Sequence, residues 1–206
     1  MTADRPLNTP RLRPDLEIIA NHVEAGSRIL DVGCGTGDLM DALRVHKQVD
    51  ARGLEIDPGN VAAAVARGLS VVQGDADRDL AAYPDASFDY AILSQTLQTA
   101  RAPDMVLDHL LRIGERAFVS FPNFAHWRVR LSLLWGGRMP VTRLLPEQWY
   151  DTPNIHHVTI DDFRAFLNTR GIRVERAWFL SRGRRTRSAA ANALAEHAVF
   201  LLRREL

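Results

Sequence analysis

Residues 29–37 read Ile29-Leu30-Asp31-Val32-Gly33-Cys34-Gly35-Thr36-Gly37. The apolar run is short and partly β-branched, which favours a buried strand. A carboxylate stands near its end, and glycine then recurs at every second position up to Asp38, after which Leu39 and Leu43 fall on one helical face. A strand that runs through a glycine turn into a helix lets the backbone approach a nucleotide-like ligand, because no side chain stands in the way.

Working outward, the same unit repeats. Ala51 to Ile56 reads as a second strand, and Asp57-Pro58 as a helix start with the carboxylate as cap and the proline as first residue. Gly68 closes that helix, and Leu69 to Gln73 is a third strand. Phe88 to Leu93 is a fourth. Pro103 opens a helix carrying Val106, Leu107, Leu110 and Leu111, and Ala117 to Phe121 follows as a fifth strand. Thr159 with Asp162 resembles a capping box ahead of Phe163, Phe166 and Leu167, with Gly171 as the stop. Ile172 to Leu180 and His197 to Leu202 have no helix-length apolar pattern between them, so they should pair antiparallel.

Upstream, Pro6 and Pro10 cannot sustain a helix. Residues 1–14 therefore read as an arm, with Pro14 at the first position of a helix that turns Leu16, Ile19, Ala20 and Val23 to one side. The expected fold is a single α/β domain over residues 1–206. Its sheet is doubly wound, mostly parallel and seven-stranded, with a reversed last strand. Residues 122–158 interrupt the alternation as an insertion.

Composition narrows the function. The chain has 206 residues, 46% of them hydrophobic, enough for one core. No apolar run reaches the roughly 20 residues of a membrane span, and no signal-peptide layout is present, so a cytoplasmic protein is expected. Cys34 is the only cysteine, which excludes an internal disulfide and a cysteine metal cluster. A net charge of +1 gives no field for nucleic acid or an anionic membrane. Arg182, Arg184, Arg185 and Arg187 are the one basic cluster, and they fit either an anion site or a solvated loop.

In a parallel sheet of this kind the ligand lies at the carboxyl ends of the strands, where the strand order reverses. Three polar features follow the glycines there: Glu55 ending strand two, Asp75 just after strand three, and Ser94-Gln95 after strand four. Glu55 stands about 20 residues past the turn, where an acidic side chain accepts ribose hydroxyls. A dinucleotide would place its pyrophosphate near Asp31, and two anions so close repel. An adenosyl ligand with an ammonium group and no phosphate fits better, namely S-adenosylmethionine or S-adenosylhomocysteine. Cys34 reads as pocket wall, with no histidine near it in sequence to activate it.

The Gly33-Cys34-Gly35-Thr36-Gly37 turn also resembles the first motif of class I S-adenosylmethionine-dependent methyltransferases, and the two terminal strands resemble that fold's reversed last strand. The resemblance implies that Asp31, Gly33 and Gly35 line the methionine part of the ligand. It places Glu55 on the ribose and Ile56 and Asp75 around the adenine, with Ala76 and Ser94 also among the cofactor-binding residues. It hands over no catalytic residue and no metal ligand. Tyr150, Asp151, His156 and His157 are the candidates for a general base.

Within the insertion, Trp127, Leu131, Leu134 and Trp135 share one helical face, with Arg128 and Arg130 off it. This amphipathic helix packs either on its own domain or on a partner. The stretches SQTLQ (94–98), FPNFAHWRVRLSLLWGGRMPVT (121–142) and WYDTPNIHHVTIDDF (149–163) resemble the MetW-type methionine biosynthesis proteins. That resemblance implies an accessory role beside a homoserine O-acyltransferase as partner. A small-molecule methyltransferase is the alternative. RNA methylation has only the arginine cluster in its favour.

Overall fold

The computed structural model describes residues 12–142, 145–186 and 188–204. The arm expected over residues 1–14 lies outside the described residues as far as 11, and so does Arg187.

Helix α1 (Pro14–His22) precedes strand β1 (Arg28–Val32), and α2 (Asp38–Lys47), β2 (Asp50–Glu55), α3 (Pro58–Ala66) and β3 (Ser70–Gln73) follow in alternation. Next come the short α4 (Ala76–Asp79), β4 (Phe88–Ser94), α5 (Pro103–Ile113) and β5 (Gly114–Pro122). The insertion carries α6 (Trp127–Gly136). The chain ends with α7 (Ile160–Thr169), β6 (Ile172–Ser181), the two-residue β7 (Arg184–Arg185), the short α8 (Ala191–Leu194) and β8 (His197–Arg204).

The strands form one sheet in the order β3-β2-β1-β4-β5-β8-β6-β7. Strands β1 to β5 pair in parallel, and β8 runs antiparallel to both β5 and β6. The reversed last strand is therefore present. The sheet has eight strands where the sequence pattern predicts seven, because Arg184 and Arg185 add a short edge ribbon against Leu180 and Ser181. Two residues carry no readable alternation, which is why the pattern misses them.

Local signals act where expected. Asp57 caps α3 by accepting the Asn60 N–H at 2.8 Å, and Pro58 follows it. Thr159 caps α7 by accepting the Asp162 N–H at 3.1 Å, and the Asp162 carboxylate accepts from the Thr159 hydroxyl at 2.6 Å, where a full capping box would have it accept from the Thr159 backbone N–H. Gly68 and Gly171, just past the ends of α3 and α7, adopt φ of +76° and +61°, which release the chain from each helix.

Alternation along the strands divides the core between two faces. Leu30, Val32, Ala91, Leu93, Val119, Phe121, Phe200 and Leu202 pack with Leu107 and Leu110 of α5 and Phe163 of α7. Ile29, Tyr90, Ile92, Phe118 and Val199 pack on the other face with Ile19 of α1 and Leu39 and Leu43 of α2. Asp31, Ser94 and Ser120 share the parity of this second set. Polar groups at the strand ends therefore project toward α1, and that parity places the site.

Candidate functional site

Strand β1 pairs with both β2 and β4, so the connections leave it in opposite directions and open a crevice at its carboxyl end. Two cavities lie there. One, of about 340 Å³, is lined by Asp31, Gly33, Gly35, Arg13, Ser94 and Gln95 among others. The other, of about 390 Å³, is lined by Gly33, Ile56, Asp75, Ala76, Arg101 and Ile155 among others. Gly33 and Thr96 line both, so the two form lobes of one cleft bent around the glycine turn.

The turn needs its glycines for two reasons. Gly33 has φ of +72°, and a Cβ there would stand 2.4 Å from the Thr96 hydroxyl oxygen. Gly37 has φ of +80°, and a Cβ would stand 2.3 Å from the Leu69 side chain. A larger residue would strain the backbone at either position, and at Gly33 it would also fill the waist of the cleft. The Gly33 N–H donates to Leu54 O at 2.7 Å, which ties the turn to the end of β2.

Asp31 is 3% exposed. Burial pushes its carboxyl up from 3.8 to about 7; the positive charge of Arg13 pulls it back down and the carboxylate of Glu55 pushes it further up. A carboxylate held this far above its ordinary range is poised for a cation. Cys34 is displaced the same way, up to about 12, by burial and by the charges of Asp31 and Glu55. Its thiol therefore stays protonated at neutral pH and acts as wall, not nucleophile.

Glu55 is buried and lines neither lobe. One carboxylate oxygen accepts the Gly35 N–H at 2.7 Å and the other accepts the Asp57 N–H at 2.9 Å. It fastens the glycine turn to the β2 end, which sequence spacing could not reveal. If the cleft holds an adenosyl ligand, replacing Glu55 by Ala should weaken it about tenfold or more, since the glycine turn loses both of its ties to the end of β2. Glu55→Gln keeps one acceptor and should lose less. Calorimetric titration of the two variants separates these outcomes, and equal affinity for both and for the wild type would remove Glu55 from the site.

The larger lobe combines apolar and acidic walls. Ile56 is 63% exposed over it. Asp75 caps α4 by accepting the Asp77 N–H at 3.0 Å and also lines the lobe. Asp77 accepts the backbone N–H groups of Arg101 and Ala102, both at 2.9 Å, and shapes the far wall. Part of the insertion closes this lobe. Pro153 and Ile155 line it, and the Ile155 and His156 N–H groups donate to Gln98 O at 2.8 and 3.0 Å.

Ser94 belongs to a cluster that the sequence reading did not assemble. Ser94 and Ser120 are partners in the β4–β5 register, and their hydroxyls donate to the buried Asp15 carboxylate at 2.8 and 3.0 Å. Arg13, the N-cap residue of α1, donates through Nη2 to Ser94 Oγ at 3.0 Å. The one local signal was Arg13-Pro14-Asp15, two charges astride a helix-starting proline.

The four candidate bases do not line the cleft. Tyr150, Asp151 and His157 are exposed and His156 is half-buried. His156 and His157 face a separate cavity of about 280 Å³ with Leu97, Val158 and Phe163, and His157 packs edge-on against Phe124 at 4.6 Å. Helix α6 is only weakly amphipathic, since Val129 and Leu133 are apolar and lie away from the side that carries Trp127, Leu131, Leu134 and Trp135, and that side faces out. Val129 is its buried residue, on the opposite face, while Leu134 and Trp135 are 74% and 77% exposed.

Comparison with known proteins agrees with this geometry. The family model described as "Methionine biosynthesis protein MetW" matches residues 13–202. A bifunctional methionine biosynthesis protein MetXA/MetW of Rhodopirellula baltica is 33% identical, over 94% of this chain and 33% of its own length. This chain thus spans about a third of that relative. A ubiquinone biosynthesis O-methyltransferase of Xylella fastidiosa is 31% identical over 78% of the chain and 67% of its own. Among solved structures, a SAM-dependent methyltransferase from Archaeoglobus fulgidus superposes with a TM-score of 0.65 at 14% identity, covering 92% of this chain and 91% of its own. That likeness establishes the class I methyltransferase-like fold. The glycine turn, the bent cleft, the reversed strand and a family match across nearly the whole length converge, and the chain belongs to the MetW family of methionine biosynthesis proteins.

Proposed function

We propose that the protein is an accessory component of methionine biosynthesis in the cytoplasm, binding S-adenosylmethionine or S-adenosylhomocysteine and docking on a homoserine O-acyltransferase. The observation that carries the reading is the joining of a MetXA part and a MetW part in the one Rhodopirellula chain, since proteins fused in one organism commonly act together in others. The outward-facing apolar stripe of α6 supports it, because a buried interface is what such a stripe lacks. The ligand half of the reading rests on the two-lobed cleft, with Asp31 at one end to meet an ammonium and Asp75 and Ile56 at the other to meet an adenine. Asp31 disfavours the pyrophosphate of NAD.

The test has two arms. Calorimetry with S-adenosylmethionine, S-adenosylhomocysteine and NAD should give saturable binding of the first two only. Co-expression with the homoserine O-acyltransferase of the same organism should give one peak on size exclusion. Saturable NAD binding without a response to the adenosyl ligands sinks the first half, and separate elution sinks the second.

A second reading, methyl transfer to a small molecule, is favoured by the likeness to the O-methyltransferases and by a cavity of about 360 Å³ that the insertion lines with Phe124, Met139, Trp149 and His157. Transfer of labelled methyl from S-adenosylmethionine into a metabolite extract would establish it.

A further inference from the structure

Residues 152–157 form a wall that two cavities share. Pro153 and Ile155 line the larger lobe of the cleft, while Thr152, Asn154 and His157 line the cavity of about 360 Å³ that the insertion encloses with Phe124 and Trp149. Neighbours along this short stretch thus face the ligand site on one side and the packing of the insertion on the other. The wall is lightly held. Toward the sheet it is fixed by the Ile155 and His156 N–H groups, which both donate to Gln98 O. The Gln98 and His156 side chains each bury a polar atom, Oε1 and Nε2, that has no hydrogen-bond partner among the described residues. A wall seated over unpaired buried groups holds less tightly than a fully bonded one.

From the wall a continuous set of contacts reaches α6. The His157 ring packs edge-on against Phe124 at 4.6 Å, and the Phe124 N–H donates to Val158 O at 3.1 Å. Phe124 packs in turn with Leu145 and with Val129, the buried residue of α6. The exposed side of α6 is therefore seated, through Val129, on a residue that the wall touches. At the other end Ile155 is 55% exposed where it lines the lobe. A ligand that fills the lobe covers Ile155 only while the wall is seated. It therefore binds the seated wall better than a displaced one, and a differential affinity of that kind is what shifts a conformational equilibrium.

We propose that the protein is a sensor of its adenosyl ligand: filling the cleft locks the 152–157 wall, the wall fixes Phe124 and the root of α6, and the α6 face then binds its partner more tightly. The proposal rests on the ligand and partner readings above and adds the link between them, with His157 as its positioning residue. Coupling between two sites is reciprocal, so the partner must tighten the ligand by the same factor, expected here at about tenfold.

The whole protein, S-adenosylhomocysteine and the homoserine O-acyltransferase of the same organism provide the test. With no partner present, saturating S-adenosylhomocysteine should slow hydrogen exchange at the amides of Phe124, Val129, Ile155 and His156 by about tenfold. It should also tighten the acyltransferase complex by about tenfold, and the acyltransferase should tighten S-adenosylhomocysteine equally. His157→Ala removes an exposed ring that lies outside the cleft. That variant should melt near the wild type and bind S-adenosylhomocysteine within about twofold, while the mutual tightening falls to about twofold or less. Exchange that slows only at residues lining the cleft, or two intact binding steps with no mutual tightening, overturns the proposal and leaves both readings standing. Undiminished tightening in His157→Ala overturns it as well. If the wild type binds no S-adenosylhomocysteine, or binds no acyltransferase with that ligand present, the corresponding reading falls and the coupling falls with it.

Discussion

Replacing Asp31 by Asn should raise the melting temperature of the empty protein and, under the ligand reading proposed above, abolish most of its affinity for S-adenosylmethionine. The two effects share one cause. The Asp31 carboxyl is lifted from 3.8 to about 7 because it is buried, with Arg13 compensating only in part and Glu55 adding repulsion. Between those two values the folded chain holds a proton that the unfolded chain has released. The empty protein therefore loses stability as pH rises from about 4 to about 7, and the loss is complete above that. Lifting a carboxyl by this much corresponds to about 4 kcal/mol at most. Relaxation of an empty pocket reduces what is measured to about 2 kcal/mol, or about 4–8 °C in midpoint for a domain of this size.

Asn removes the penalty at pH 8 and changes little at pH 4, so the gain itself should be pH-dependent. Binding moves the other way. An ammonium carried into the pocket opposite Asn lacks its counter-charge, which should cost about a hundredfold or more in affinity. In the wild type, affinity should fall as pH drops below about 7, where Asp31 is protonated, and Asp31→Asn should flatten that profile. Thermal melts at pH 4 and pH 8 and titrations across the range check all of this. A variant that binds as well as wild type, or that melts lower at pH 8, would mean that Asp31 is a structural group.

The second large effect concerns the partner. If α6 is the docking face of the proposed complex, changing Leu134 and Trp135 together to Asp should abolish co-elution with the homoserine O-acyltransferase, a loss of about a hundredfold or more in affinity, because two carboxylates would replace a large exposed apolar pair. Both side chains are mostly exposed, so the isolated protein should melt within about 2 °C of wild type and bind its adenosyl ligand unchanged. The neighbouring arginines are less clean probes. Arg128 lies 5.3 Å from the Trp127 ring, and Arg130 Nε donates to Ala125 O at 2.6 Å. Reversing Arg130 would therefore break a bond within the chain as well as alter the surface. If the Leu134 and Trp135 double variant still co-elutes at full affinity, the stripe on α6 is not the docking face.

The parts that were legible in the sequence depend on near neighbours. The alternation of strands and helices, the caps by Asp57 and Thr159 and the glycine turn each express the preferences of a few consecutive residues. The acidic residue at the end of β2 could likewise be picked out from its spacing. Even the parity of Asp31 with Ile29 follows from two-residue alternation within one strand.

Contacts between residues far apart decided the rest. Asp15 meets Ser94 and Ser120 across 79 and 105 positions, so nothing near Arg13 in the chain announces that it overhangs the cleft. The hydrogen bonds of Glu55 to Gly35 and Asp57 depend on how β2 sits against the glycine turn. Helical periodicity identifies an apolar stripe on α6 but cannot say which way it turns. Only the packing of Val129 beside Phe124 and Leu145 settles that the stripe faces outward. The sequence by itself determined the order of elements and the chemical types available at the strand ends. The tertiary structure decided which charges share a cavity and which apolar face is left uncovered, because burial and pairing depend on distances in space that the local pattern of a chain does not encode.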